Sequence, residues 1–163
     1  MQSQDNALVE VPVPGTDRKI MATLVGDKPH VSLRHACEAI GINYGSQLDK
    51  LRGKSWASVV PLRGTGADGK SYEMSMIDRR TMTMWLGGID ENRVNAAARP
   101  TIIAFQAEAA DALDAYFHDG GAINPSATED QLDRIARQAQ AQAGVIQALK
   151  GIIDPRHLEA KAR

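Results

Sequence analysis

Tyr72-Glu73-Met74-Ser75-Met76-Ile77 runs directly into Asp78-Arg79-Arg80-Thr81-Met82-Thr83-Met84-Trp85-Leu86-Gly87-Gly88-Ile89, and the periodicity of the chain changes at the join. In the first part Tyr72, Met74 and Met76 fall on one side and Glu73 and Ser75 on the other, the period of two that a strand imposes. In the second, Met82, Trp85, Leu86 and Ile89 recur at i, i+3, i+4 and i+7, the apolar stripe of a helix. Asp78 lies between them, where its carboxylate can accept from the backbone N–H groups of a first helical turn. Asp90-Glu91-Asn92-Arg93-Val94 connects to a longer helix with Pro100 near its start, where a missing N–H costs nothing. Ile102, Ile103, Gln106, Ala109, Ala110, Leu113, Tyr116 and Phe117 give that helix a broad apolar face, expected to be the main backing of the core.

Outward from this stretch the chain punctuates itself with turns. Alternation from Leu8 to Val13 and from Lys19 to Val25, separated by Pro14-Gly15-Thr16-Asp17, predicts a hairpin, and Pro12 places its first strand at a sheet edge. Gly26-Asp27-Lys28-Pro29 turns the chain into a brief His30-Val31 strand. Ser32 then caps a short helix with Leu33, Ala36, Cys37 and Ile40 inward, which stops at Gly41. A second short helix follows, with Tyr44, Leu48 and Leu51 inward and Gln47, Lys50, Arg52 and Lys54 outward. Two short helices joined by a tight glycine turn have the outline of a helix-turn-helix, which ordinary helical corners share. Trp56 to Leu62 and Ser71 to Ile77 form a second hairpin around the segment from Arg63 to Lys70.

The whole predicts an α+β domain of two β-hairpins packed with three or four helices over residues 7–119. A linker at 120–127, a helix at 128–154 and a charged tail at 155–163 follow it. With 163 residues and 43% hydrophobic content the chain can bury one substantial core. A net charge of −1 offers no global field for nucleic acid, so any basic patch must be local. The one cysteine, Cys37, excludes an internal disulfide framework and a multi-cysteine zinc site, and fits a reducing cytoplasm. No basic leader opens the sequence, and no apolar run approaches ~18 residues, so neither a signal peptide nor a membrane span is expected. The final charged residues read as an unfinished end, compatible with a piece of a longer protein.

Catalytic patterns are missing. Gly64-x-Gly66-x-x-Gly69 has the glycine spacing of a dinucleotide fingerprint, but a strand follows it where a helix must present its N-terminus to the pyrophosphate. His30, His35 and Cys37 match no standard zinc spacing and read as a turn histidine, a solvated helix histidine and a core cysteine. No Gly-x-Ser-x-Gly elbow occurs. The expectation is a protein that is not an enzyme and uses no metal or cofactor.

Binding features are present instead. Between Tyr44 and Arg99 nine Lys and Arg face six Asp and Glu, a mildly basic segment. Gln47, Lys50, Arg52, Lys54, Arg63, Lys70, Arg79 and Arg80 are the candidates to meet a nucleic acid. Arg79 and Arg80 stand in a first helical turn, where positive charge opposes the macrodipole at ~0.3–1 kcal/mol, which suggests service to a partner. Toward the C-terminus, Leu132, Ile135, Ala139, Gln142, Ile146, Leu149 and Ile153 alternate by three and four as a heptad seam, a candidate for homo-oligomerisation through a coiled coil or for binding a partner. Thr128 is its N-cap, with Glu129 and Asp130 complementing the dipole. Gly144 and Gln142 weaken the seam.

Ser46-Gln47-Leu48-Asp49-Lys50-Leu51, Met76-Ile77-Asp78-Arg79-Arg80, Trp85-Leu86-Gly87-Gly88-Ile89, Asn92-Arg93-Val94 and Phe105-Gln106-Ala107-Glu108 through Tyr116-Phe117 come in an order that resembles the phage antirepressor N-terminal domain family, allied to the BRO-N group. The resemblance covers about residues 7–118. It departs from the family at Ala109, where a cysteine is common, and in the polar tip from Gly64 to Gly69. It implies a phage or prophage regulator that binds a phage repressor protein and relieves repression of lytic genes. The alternative it implies is a transcriptional regulator of BRO-N type that binds duplex DNA. It supplies no catalytic residues.

Overall fold

The computed structural model describes residues 6–12 and 17–153. Contacts divide the chain into two compact units, with the boundary between Asp114 and Ala115. The first unit begins with β1 (Asn6–Ala7), β2 (Val9–Pro12), β3 (Lys19–Val25) and β4 (Lys28–Ser32). The helices α1 (Leu33–Ile40) and α2 (Tyr44–Arg52), the strands β5 (Val59–Thr65) and β6 (Ser71–Asp78), and the helix α3 (Arg79–Gly87) follow. Helix α4 (Arg99–His118) crosses the boundary, and α5 (Glu129–Ile153) lies in the second unit. The fold class is α+β, as the periodicities predict. Of the turn expected at Pro14-Gly15-Thr16-Asp17, only Asp17 is among the described residues.

One sheet of six strands runs in the order β1-β5-β6-β4-β3-β2. Only Leu8 separates β1 from β2, yet β1 pairs in parallel with β5 while β2 pairs antiparallel with β3. The N-terminal segment thus joins both ends of the strand order, and the sheet must curl to let it. Thr23 Oγ1 donates to the Ala7 carbonyl at 2.8 Å, and the Leu8 N–H donates to the Thr65 carbonyl at 3.2 Å, fixing the corner. Val31 and Val59 flank Ile77 in register, and all three lie against the helical core. Met76, one residue along β6, faces the other way and is fully buried too. Both faces of the sheet are covered there.

The helices take their limits from local chemistry. The Ser32 side chain accepts the His35 N–H, Asn43 Oδ1 accepts Ser46 N–H at 2.9 Å, and Asp78 Oδ1 accepts Thr81 N–H at 2.8 Å. Gly41, at φ 81°, ends α1 in the left-handed region, and a Cβ there would meet Asn95 Cβ at 3.0 Å. Asn95 ties the end of α1 to the segment ahead of α4. Its N–H donates to the Ile40 carbonyl (2.8 Å), its Nδ2 to the Ala39 carbonyl (3.0 Å), and its Oδ1 accepts the Ala98 N–H (2.8 Å) ahead of α4.

Three expectations change. Arg63, Gly64 and Thr65 belong to β5, paired with Glu73, Tyr72 and Ser71, so the loop is shorter than the sequence implies. His30 is no turn residue but is buried in β4, its Nδ1 3.0 Å from the Lys28 carbonyl. Helix α4 is not the core's main backing. Ile102 alone is buried, and Phe105, Gln106 and Ala109 are half-buried, whereas Leu113, Tyr116 and Phe117 are 53%, 62% and 73% exposed. A helix of 20 residues rises about 30 Å, so its stripe continues past the residues that have a core to meet.

In the second unit, Gly120 at φ 86° and the Asp119 and Gly121 N–H bonds to the Ala115 carbonyl terminate α4. Helix α5 starts with a reciprocal capping box: Thr128 Oγ1 accepts the Gln131 N–H at 3.3 Å while Gln131 Oε1 accepts the Thr128 N–H at 2.8 Å. Every α5 side chain described, up to Gly151, is exposed.

Candidate functional site

The expected DNA-facing residues separate into three places. Arg63 pairs loosely with Glu73 at 3.7 Å across β5 and β6, both side chains more than 70% exposed, a pair that contributes little. Lys70 closes the hairpin tip, its N–H donating to Asp68 Oδ1 at 3.0 Å, where the Tyr72 hydroxyl also donates to Asp68. That hydrogen bond from Tyr72 holds the Asp68 carboxyl below the usual range. The three glycines of Gly64-x-Gly66-x-x-Gly69 thus sit in a hairpin, with β6 after them and no helix N-terminus for a phosphate.

Arg79 and Arg80 begin α3 as predicted, and Asp78 balances them there. The Thr81 side-chain hydrogen bond, then the Thr81 N–H and the charges of His30 and Arg80, hold the Asp78 carboxyl below its ordinary value against the effect of burial. Arg80 donates to the Trp56 carbonyl at 3.0 Å, so it positions a neighbouring segment. Arg79 and Arg52 are exposed.

Gln47, Lys50 and Lys54 come together with residues distant in sequence. They line an open groove of about 570 Å³ whose other wall is the end of α3 and the segment after it. Trp85, only 5% exposed, forms part of its floor and donates through Nε1 to Gln47 Oε1 at 3.1 Å. Met84, beside it, is 54% exposed into the groove, and half-buried Trp56 lines the end near Lys54. Arg93 completes the rim. Its Nε lies 3.7 Å from Asp90 Oδ2, and Asp90 Oδ1 accepts the Asn92 N–H at 2.9 Å.

The far wall is held from behind. Gln106 Nε2 donates to the carbonyls of Leu86 (3.0 Å) and Ile89 (2.7 Å), occupying acceptors that the end of α3 leaves open. Arg99 donates to the carbonyls of Glu91 (3.1 Å) and Val94 (3.3 Å) and shapes the segment that carries Arg93. The groove therefore presents Lys50, Lys54 and Arg93 against the single carboxylate of Asp90, over an apolar floor.

The polar first turn of α2, which a helix-turn-helix would aim at base edges, is engaged within the protein. Asn43 caps the helix, the Ser46 hydroxyl donates to the Asn43 carbonyl at 3.1 Å, and Gln47 holds Trp85. Arg34 stacks over the Tyr44 ring at 4.3 Å. Sequence reasoning missed Met84 and Arg93. Met84 was detectable as an apolar side chain off the Met82-Trp85-Leu86-Ile89 stripe; Arg93, part of the Asn92-Arg93-Val94 motif, gave no sign of lying beside α2, since a loop sets its position.

Burial pushes the Cys37 thiol up to about 12, so it stays protonated at neutral pH. No group of three or more His, Cys, Asp and Glu gathers among the described residues as a metal site would need. No helix among them is long and apolar enough to cross a membrane.

No curated protein and no solved structure matches the chain. The family model described as the P22_AR N-terminal domain matches residues 11–123, well over half of the sequence. The chain therefore belongs to the P22_AR N-terminal domain family, the N-terminal domains of phage antirepressors.

Proposed function

We propose that this protein is an antirepressor that works by binding, without catalysis or cofactor. In the cytoplasm of the host it engages a phage repressor protein through the groove between α2 and α3 and lifts it from its operator. The observation that carries the reading is the groove itself: an exposed methionine and a half-buried tryptophan between cationic rims, in a domain of the antirepressor family. Interfaces draw their affinity from a few such anchors in partly desolvated pockets.

Direct DNA binding is the second reading, favoured by one observation. Helices α1 and α2, joined by the three-residue turn Gly41–Asn43, have helix-turn-helix connectivity, and Lys50 and Arg52 stand in the last turn of α2. Against it, the residues that would read bases already serve the fold. Phosphate contacts without base contacts give position and salt-sensitive affinity but no sequence choice.

We assign self-association to α5. Leu132 and Ile135 are each 41% exposed, and Ile146 and Leu149 are 53% and 52% exposed, along the predicted seam. Ala139 and Gln142 are exposed between them, and Ile153 ends the helix. A second copy would cover this seam.

A gel-shift titration tests the reading. The repressor of the same phage, bound to its labelled operator, is titrated with the chain. Release of free operator with no complex of chain and DNA is expected; a slower complex of chain with operator alone contradicts it.

A further inference from the structure

We propose that the occupant of the groove is an amphipathic α-helix with an acidic flank, offered by the protein partner. The inference rests on the protein-binding reading above and adds the chemistry of the segment recognised.

Charge is the first argument. Lys50 and Lys54 are four residues apart along one wall and Arg93 stands on the rim, while Asp90 is already engaged by the Asn92 N–H and by Arg93. Three cations against one occupied carboxylate leave a positive field in a concave, partly apolar site, where field lines concentrate. A partner segment bearing carboxylates complements it, and a basic segment is repelled.

Shape is the second. Met84 is more than half exposed beside the buried Trp85, and its flexible thioether can mould to an entering apolar side chain. Trp56, its carbonyl held by Arg80, offers a fixed aromatic wall nearby. Apolar anchors of the partner belong between the two.

Backbone satisfaction is the third. The groove is walled by α2 and α3, whose central peptide groups bond within their own helices, and none of its lining residues lies in a strand. An extended segment would enter without a sheet edge to pair with. A helix brings its backbone hydrogen bonds with it and needs only side-chain complementarity.

A surface that reads an operator must be basic to neutralise phosphates. An acidic docking helix is therefore a separate part of the repressor, and the antirepressor does not act by imitating DNA at this groove.

The test uses a displayed library of short helix-forming peptides selected on the full chain, followed by fluorescence anisotropy with the enriched peptides. Peptides with an apolar i, i+3/i+4, i+7 stripe flanked by Glu or Asp are expected. Their affinity should fall about tenfold or more for the exposed-site variants Lys50→Glu with Lys54→Glu and Met84→Glu. Lys-flanked versions of the same peptides should recover binding to the Lys50→Glu, Lys54→Glu variant, which shows the loss is not misfolding. Enrichment of neutral or basic peptides, binding unaffected by these substitutions, or full displacement by mixed-sequence duplex DNA overturns the proposal. The same variants in the repressor gel shift separate the two readings. If neutral peptides win while Lys50→Glu, Lys54→Glu still abolishes operator release, only the acidic-helix inference falls. If acidic peptides bind at the groove while release is untouched, the groove's role in antirepression falls.

Discussion

Helix α1 has eight residues and buries five of them, whereas α5 has 25 residues and every described side chain on it is exposed. An isolated helix the length of α1 would be unstable in water, because helices shorter than ~12–15 residues do not repay their nucleation. It exists because Leu33, Ala36, Cys37 and Ile40 share one core with Leu48 and Leu51 of α2, Ile77 of β6 and Trp85 of α3. Helix α5 has length, a capping box and acidic first-turn residues, but the described residues of its unit leave its apolar seam uncovered. The short helix is made by tertiary packing; the long one stands on local signals.

The contrast predicts where substitutions hurt. Ile77→Ala, at a fully buried position in contact with the helical core, should cost about 3 kcal/mol in urea unfolding, transfer and cavity together. A loss no larger than that of an exposed substitution would break the comparison. Gly41→Ala should cost about 2 kcal/mol, because an L side chain at φ 81° is strained and its Cβ would press on Asn95; urea midpoints of the two proteins measure it.

Asp78→Ala should cost about 1 kcal/mol by removing the α3 cap. The folded-state carboxyl titrates below its unfolded value, so its stabilisation is complete above ~pH 4 and is lost as pH falls through the depressed value. Asp78→Asn keeps an acceptor that does not titrate, and its thermal stability should fall less between neutral and acidic pH than that of the wild type.

At the other pole, Gly144→Ala relieves a helix-interior glycine with no neighbouring atom in the way and should add just under about 1 kcal/mol to α5. Increased helicity by circular dichroism would show it. The smallest effect sharpens the comparison most. Ile135→Asp with Ile146→Asp should leave the sheet-containing unit within about 0.5 kcal/mol of the wild type. The mass by light scattering should fall to that of a monomer. A destabilised sheet unit, or an oligomer of unchanged mass, contradicts the assignment of α5.

Local signals made much of the fold legible. Tyr72 to Ile77 is a strand, Asp78 caps α3, Ser32 caps α1, Gly41 ends it and Thr128 caps α5, each a choice made within a few residues. What stayed hidden depends on distance in sequence. Asn6–Ala7 is too short for any periodicity, and only its parallel partner β5 makes it a strand. Helix α4 misleads because alanines widen its apparent apolar face while the core stops near Ala109. The groove was half legible: Gln47 and Lys50 lie on the outer side of α2 by helical spacing alone, whereas Lys54, expected on the same helix, stands in the turn beyond its Gly53 cap. Gln47's partner Trp85 lies 38 residues away, and Arg93 is placed by a loop that Arg99 and Asn95 shape.

We propose that this groove serves a protein rather than the phosphate backbone. Fluorescence anisotropy of the full chain against labelled mixed-sequence duplex DNA, at low and at moderate salt, with wild type beside Lys50→Ala, Lys54→Ala, tests it most directly. The account predicts no DNA binding that depends on these two lysines. Binding that weakens steeply with salt and disappears with the two substitutions would contradict it and give the groove to DNA.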